Sequence, residues 1–393
     1  MDLDRVPNIA KYLSMIFLLS YFGRNVVWYF LPVFFERQIQ SVFLIGLMTS
    51  LPAIVTIVLD IPVGNLVQRA GEKIVIFLGL LLNLFPGLFY LTGIPILLVF
   101  GKAFEGIVKS LVWNGGWTIS LKSADEASES ESTSVFLLGV NIAAVIGPIV
   151  GGYLIASKGF NLVFAIWVFA AWLGALIFYL YIGLEGEKGF IESLEDLFHR
   201  KTYVDDYRHL KRNFENLKFP MLLIMLYSII FSFFWLAVPL LLERIGTNFQ
   251  TMGLIFGLAA LPKLFQFFFG KLGDSMGRLK LAGILSLLLA PVLYSMSLFS
   301  SIYLIGGLFL VARLFASGMS PLFHAFYDSR VPDELEGEMT GFLEFAKHSG
   351  QALGPAAAGA FASIGGIGLS FRFASVVSLL ISVSVFYCLS FSS

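Results

Sequence analysis

The chain has 393 residues, of which 58% are hydrophobic and only 13% charged, with a mean hydropathy of +0.85. Soluble domains carry about twice that share of charge, and 41 phenylalanines are more than one soluble core needs, so an ordinary soluble protein is excluded. Lys and Arg match Asp and Glu at 26 each, which argues against nucleic acid as a partner, and the lone Cys388 rules out a disulfide framework or a cysteine metal site.

A helix needs about 20 apolar residues to cross the hydrocarbon of a bilayer. Runs of that length recur along the chain. In order they cover 10–35, 42–68, 74–93, 95–120, 134–157 and 160–183. The first is preceded by acidic residues and lacks a small-residue cleavage pattern, so it reads as a retained helix and not a signal peptide. The gap over 184–217 contains EDLFHRK and DDYRHLKR and is too polar to span. Runs resume at 218–243, 251–271, 279–299, 301–327, 338–363 and 367–391. The prediction is an all-α integral membrane protein with twelve transmembrane helices. Two pseudo-symmetric six-helix bundles, 1–183 and 218–393, are joined by a linker at 184–217.

Orientation follows from the basic residues outside these runs. Arg5, Lys11, Arg69, Lys73, Lys122, Lys188, Arg200, Lys201, Arg208, Lys211, Arg212, Lys218, Lys271, Arg278, Lys280 and Arg330 fall on one side, whereas Arg37, Lys158, Arg244 and Arg372 fall on the other. The larger set marks the cytoplasmic side. The expected location is therefore the cell membrane, multi-pass, with both termini and the linker in the cytoplasm.

A near-repeat supports the duplication. GNLVQRAGEK at Gly64–Lys73 and GKLGDSMGRLK at Gly270–Lys280 each follow one apolar run and precede another. They lie 206 positions apart (270 − 64), about half the chain. Duplicated membrane halves are typical of secondary transporters.

The two loops resemble the signature of the major facilitator superfamily between its helices 2 and 3, G-x3-D-R/K-x-G-R-R/K, and its echo between helices 8 and 9. The second copy keeps Gly270, Asp274, Gly277 and Arg278 in register. The first keeps Gly64, Arg69, Gly71 and Lys73, with Gln68 in place of the acid and Glu72 in place of a cation. A further segment, GVNIAAVIGPIVGG, is similar to the last half of the helix-5 signature of that superfamily, through Gly147, Pro148, Gly151 and Gly152. GQALGPAAAG at Gly350–Gly359 echoes it. The resemblance covers essentially the whole chain. It implies alternating access around a cavity lined by helices 1, 4, 7 and 10, with the loops bracing the cytoplasmic side. The helix-5 signature further implies proton-coupled antiport of the drug-exporter kind. No G-x4-G-K-[ST] phosphate loop is present, which argues against ATP coupling.

Charged residues inside the runs are the sharper chemical signal. Insertion scales put each at roughly 2.5–3.5 kcal/mol at mid-helix, so they need partners or water. The set is Arg24, Asp60, Lys102, Glu105, Lys109, Lys263, Arg313, Glu344 and Lys347. Asp60 is the first candidate for proton coupling, with a structural aspartate as the competing reading. Glu105 has Lys102 and Lys109 on its helix face, which favours an ion pair, although it too is a coupling candidate. Glu344 stands beside Lys347 and His348, and histidine titrates ordinarily in the physiological range. Both are coupling candidates. Arg24, Trp28, Lys102, Trp113, Trp235 and Arg313 are substrate-cavity candidates, because the resemblance places their helices around the cavity. The cations suit an anionic or zwitterionic substrate; Glu105 with aromatic neighbours suits a lipophilic cation. Both stay open from sequence.

The expected function is secondary active transport of a small amphipathic molecule, by proton-coupled efflux. The rivals are proton-coupled uptake of an anionic metabolite, and a non-transporting lipid scramblase or receptor on the same fold. No nucleophile–base pair or metal-ligand spacing suggests an enzyme. No cofactor or metal is expected. The expected partners are a small-molecule substrate, protons and the lipid bilayer, with the chain acting as a monomer.

Overall fold

A computed structural model describes residues 7–122, 129–184, 200–331 and 336–392. The regular structure among them is helical throughout. Each expected span corresponds to one helix or to a broken pair: α1 (Asn8–Trp28) with α2 (Leu31–Ile39), α3 (Val42–Ala70), α4 (Glu72–Leu82) with α5 (Leu84–Leu91), α6 (Pro95–Lys122), α7 (Glu129–Lys158) and α8 (Phe160–Tyr181). Then follow α9 (Arg200–Arg244), α10 (Phe249–Ala260) with α11 (Gln266–Met276), α12 (Arg278–Met296), α13 (Ile302–Asp328) and α14 (Glu336–Ser392). The last stretch holds two spans, because Gly365 and Gly366 leave helical geometry and Gly366 has φ of 78°. Of the expected linker, residues 185–199 lie outside the described residues, and α9 begins within its second part.

The breaks have local causes. Pro32 opens α2 and cannot donate to the carbonyl one turn back, so the helix breaks between α1 and α2. Pro86 does the same two residues into α5, and Asn83 sits at the break between α4 and α5. There Asn83 donates to Ser20 Oγ at 2.9 Å and accepts from Trp167 Nε1 at 3.1 Å. That pairing satisfies a polar side chain that lipid could not solvate. Pro262 falls in a 3₁₀ turn, Leu261–Phe265, that separates α10 from α11. α6 differs from its neighbours in another way: Lys102, Glu105 and Lys109 all fall in its first two thirds.

The loop repeat is reproduced in the backbone. Gly71 and Gly277 occupy equivalent positions, both have φ of 93°, and each precedes the next helix. Side chains are strained there. Gly71→Ala and Gly277→Ala are each expected to cost about 1–3 kcal/mol, read as a lowered thermal midpoint of the detergent-purified protein. Gly64 and Gly270 have open space where a Cβ would stand, so alanine at either is expected to leave the midpoint unchanged.

Contacts divide the chain into two compact units, Met1–Tyr29 with Val55–Tyr203, and Phe30–Ile54 with Val204–Ser393. In the first, α7 lies against α1. A Cβ on Gly147 would stand 2.7 Å from the Asn25 side chain, and one on Gly151 would overlap the Val26 carbonyl. Leu13, Phe17, Ile76, Leu80, Val112, Phe136 and Phe178 form a core cluster of the same unit. In the second, α14 lies against α9 with the same register. Gly354 stands to Ser232 and Ile229 as Gly147 stands to Asn25, and both glycines and their partners are 207 apart (354 − 147, 232 − 25). Small residues let helix backbones approach where lipid removes the hydrophobic drive for association.

The second unit also holds α2 and the start of α3. Arg37 pairs with Glu243 at 3.2 Å and Arg244 with Glu36 at 3.0 Å. The two Glu-Arg dipeptides sit 207 apart (243 − 36) and bridge reciprocally. Gly46 faces the Pro355 carbonyl and Gly359 at 2.6 and 3.0 Å from where a Cβ would stand, and Ser50 donates to the Ala352 carbonyl at 2.5 Å.

Candidate functional site

In the first unit, four donors from three helices converge on Glu105. Its carboxylate receives Lys102 Nζ at 2.9 Å from its own helix face and Trp28 Nε1 at 3.2 Å from α1. Tyr90 Oη from α5 also donates to it, and Arg24 lies 3.6 Å away. The carboxylate is 2% exposed and Lys102 4%, while Arg24 keeps 28%. Arg24 and Trp28 are one turn apart, and the guanidinium lies 4.8 Å over the indole ring. The cluster holds two cations against one anion. Removing Glu105 would leave Lys102 buried without this counter-charge and would take from Arg24 the carboxylate beside it, so the carboxylate is part of the packing.

The i, i+3 spacing of Lys102 and Glu105 is visible in sequence, and so is the Arg24–Trp28 turn. That the two turns meet is not, and Tyr90 is a further member that sequence reasoning missed. It sits in an unbroken apolar run and carries no local signal.

Asp60, on α3, has a different setting. Ser110 Oγ donates to Asp60 Oδ1 at 2.8 Å, and Asn114 Nδ2 approaches the same oxygen at 3.5 Å. Asn114 also donates to the Ser110 carbonyl at 2.9 Å. Asp60 is half-buried. A serine hydroxyl can donate or accept. Ser110 and Asn114 are one turn apart on α6 and were not legible as its partners. Trp113, between them in sequence, packs edge-on to Tyr21 and Phe136 at centroid distances of 6.0 and 6.2 Å, against the core.

In the second unit, Glu344 pairs with Lys347 at 2.7 Å and lies 3.5 Å from His348 Nε2. Glu344 and Lys347 are each about one third exposed, and His348 is buried. Arg313 is buried at 8% exposure. Its Nε donates to the Ala259 carbonyl at 3.3 Å, and its guanidinium lies 4.5 Å over the Phe231 ring. Trp235 stands edge-on to the same ring at 6.1 Å. His324 bonds the Ser320 carbonyl at 2.7 Å, an intrahelical contact.

Of the loop residues, Arg278 pairs with Asp274 at 2.9 Å and reaches the Ala325 carbonyl at 3.5 Å, tying the second loop to the end of α13. Arg69 is exposed and Lys73 half-buried in the first loop. Among the described residues, no group of three or more His, Cys, Asp or Glu is placed to hold a metal ion.

The family model of the Major Facilitator Superfamily matches residues 13–261 and 220–392. No curated protein matches the sequence significantly. Among solved structures, a bacterial homolog to the human lysosomal transporter Spinster, inward-facing and unoccupied, is 14% identical with a TM-score of 0.78, over 97% of this chain and 96% of that one. The human organic anion transporter MFSD10 (TETRAN) is 16% identical with a TM-score of 0.68, over 98% and 100%. A POT family transporter in complex with 5-aminolevulinic acid is 13% identical with a TM-score of 0.72, over 98% and 99%. At these identities the likeness is one of fold.

Proposed function

As a member of the Major Facilitator Superfamily the chain is a secondary transporter, and we propose that it couples export of a small amphipathic molecule to proton entry, with Asp60 as the carboxylate that carries the proton. The observation behind this reading is the setting of Asp60, a half-buried carboxylate in a membrane span with a serine hydroxyl on it. Glu105 is buried and bound to Lys102 and Arg24, so its negative charge is part of the fold. Asp60 is half-buried and bonded to Ser110, whose hydroxyl can donate or accept. A coupling site must be reached by protons and must tolerate both states.

Export is the direction that the helix-5 signature implies. The substrate-binding candidates are Arg24, Trp28, Lys102 and Trp113 in the first unit, and Trp235 and Arg313 in the second. Glu344 and His348 form the reserve coupling site. In this reading the protein works as a monomer in the cell membrane; the basic-residue bias supports only the cytoplasmic placing of both termini.

The test is proton movement in proteoliposomes, read with a pH-sensitive dye, over a panel of lipophilic cations and organic anions. The expected result is substrate-dependent proton flux in the wild type that Asp60→Asn abolishes. Solute movement with no dependence on a proton gradient would overturn the reading. Flux that persists in Asp60→Asn would move the proton site to Glu344–His348.

A further inference from the structure

The second unit contains an arginine whose hydrogen-bonding capacity is mostly unused among the described residues. A guanidinium carries five N–H donors. Arg313 commits its Nε–H to the Ala259 carbonyl. Among the described residues, no acceptor meets the other four and no carboxylate lies within salt-bridge distance. The carbonyl it holds belongs to the last turn of α10, just before Pro262 interrupts the ladder, where helix-end carbonyls need outside donors. Arg313 is thereby fixed in place by one bond and by the Phe231 face, with its two terminal nitrogens free.

Its surroundings repeat the imbalance. Lys263 lies in the 3₁₀ turn itself with its side chain exposed and makes no hydrogen bond or ion pair with a described residue; it is within electrostatic reach of Arg313 and Lys347. Lys347 has its own counter-charge in Glu344. Ser317, one turn beyond Arg313 on α13, is 1% exposed, and its Oγ has no partner among the described residues. A broken helix beside a buried, uncompensated cation is the kind of place where transporters bind ionic groups. Bare cations in a membrane interior are costly, and a planar guanidinium with free terminal nitrogens matches an oxyanion in a bidentate fork.

We propose that Arg313 and Lys263, with Ser317 Oγ as a neutral donor, form an anion-binding subsite, and that the transported molecule is an organic anion carrying a carboxylate or sulfonate. The Phe231–Trp235 pair supplies an aromatic wall for its apolar body. This assignment rests on the transporter reading above and deepens it by naming the substrate class.

The experiment uses the full-length protein purified in detergent, with radiolabelled 1-naphthoate as probe and tetraphenylphosphonium as an aromatic cation for comparison. The wild type is expected to bind 1-naphthoate saturably, without displacement by tetraphenylphosphonium. Arg313→Gln is expected to weaken binding by about tenfold or more, with Arg313→Lys between the two. Lys218→Gln, at an exposed site paired with Glu215, is expected to bind as the wild type. Lys263→Gln and Ser317→Ala carry the test if Arg313→Gln does not remain monodisperse, and each is expected to weaken binding. No 1-naphthoate binding, equal binding by these variants, or displacement by tetraphenylphosphonium would overturn the subsite. The proton-flux assay separates the two claims. Anion binding lost in Arg313→Gln without any proton movement would contradict proton coupling and retain the subsite. Proton flux driven by lipophilic cations and unaffected by Arg313→Gln would retain coupled transport and overturn the subsite.

Discussion

Glu105→Ala is expected to destabilise the protein by about 3–5 kcal/mol, the range found when one partner of a buried ion pair is removed. The cause is what remains. Lys102 at 4% exposure and the neighbouring Arg24 lose this shared carboxylate, and Trp28 and Tyr90 lose a charged acceptor. Glu105→Gln keeps an acceptor but not the charge, so a smaller loss is expected. Replacing both members of the pair, Lys102→Met with Glu105→Leu, removes a buried charge of each sign. It is expected to recover part of the loss, because an apolar pair of similar volume can replace a buried ion pair at little cost. Thermal unfolding in detergent, followed by size-exclusion chromatography, measures all three. A Glu105→Ala protein as stable as the wild type would show that water or lipid headgroups solvate the two cations.

The second large effect is steric. Gly151→Leu is expected to stop α7 from docking on α1, with loss of monodisperse protein. Even Gly151→Ala places a Cβ on the Val26 carbonyl, a backbone atom that cannot swing aside; overpacking of this kind costs about 1–3 kcal/mol. Gly354, the counterpart of Gly147 in the second unit, would likewise place a Cβ 2.4 Å from a backbone carbonyl, that of Ile229, and is expected to respond alike. These changes contrast with Gly64→Ala and Gly270→Ala. All four glycines belong to family signatures, yet only the helix-facing pair is packed tightly. Retention of a normal elution profile by Gly151→Leu would contradict the close packing of α7 on α1.

The spans were legible because hydrocarbon thickness imposes a length on every apolar run, and the duplicated loops reported themselves through Gly71 and Gly277, whose backbone only glycine adopts comfortably. The packing of the helix-5 signature was legible as a small-residue face, though not its partner, Asn25–Val26. Within the site, intrahelical pairs were readable and interhelical ones were not. Lys102–Glu105 and Glu344–Lys347 are i, i+3 neighbours, whereas Tyr90, Ser110 and Asn114 reach their carboxylates from other helices. The reciprocal bridges Glu36–Arg244 and Glu243–Arg37 had a signal that went unread: the dipeptide Glu-Arg recurs at the repeat spacing, after FF in one half and LL in the other. Basic residues there count only toward orientation in a hydropathy reading, and pairing between them is visible only in three dimensions.

The central claim is that Asp60 carries the coupled proton and does not merely support the fold. Reconstituted protein loaded with 1-naphthoate separates the two, because exchange of labelled for unlabelled substrate needs binding and alternating access but no net proton transfer. The account predicts that Asp60→Asn keeps exchange near the wild-type rate and loses movement driven by a pH gradient. Equal loss of exchange and gradient-driven movement, or retention of both, would contradict it.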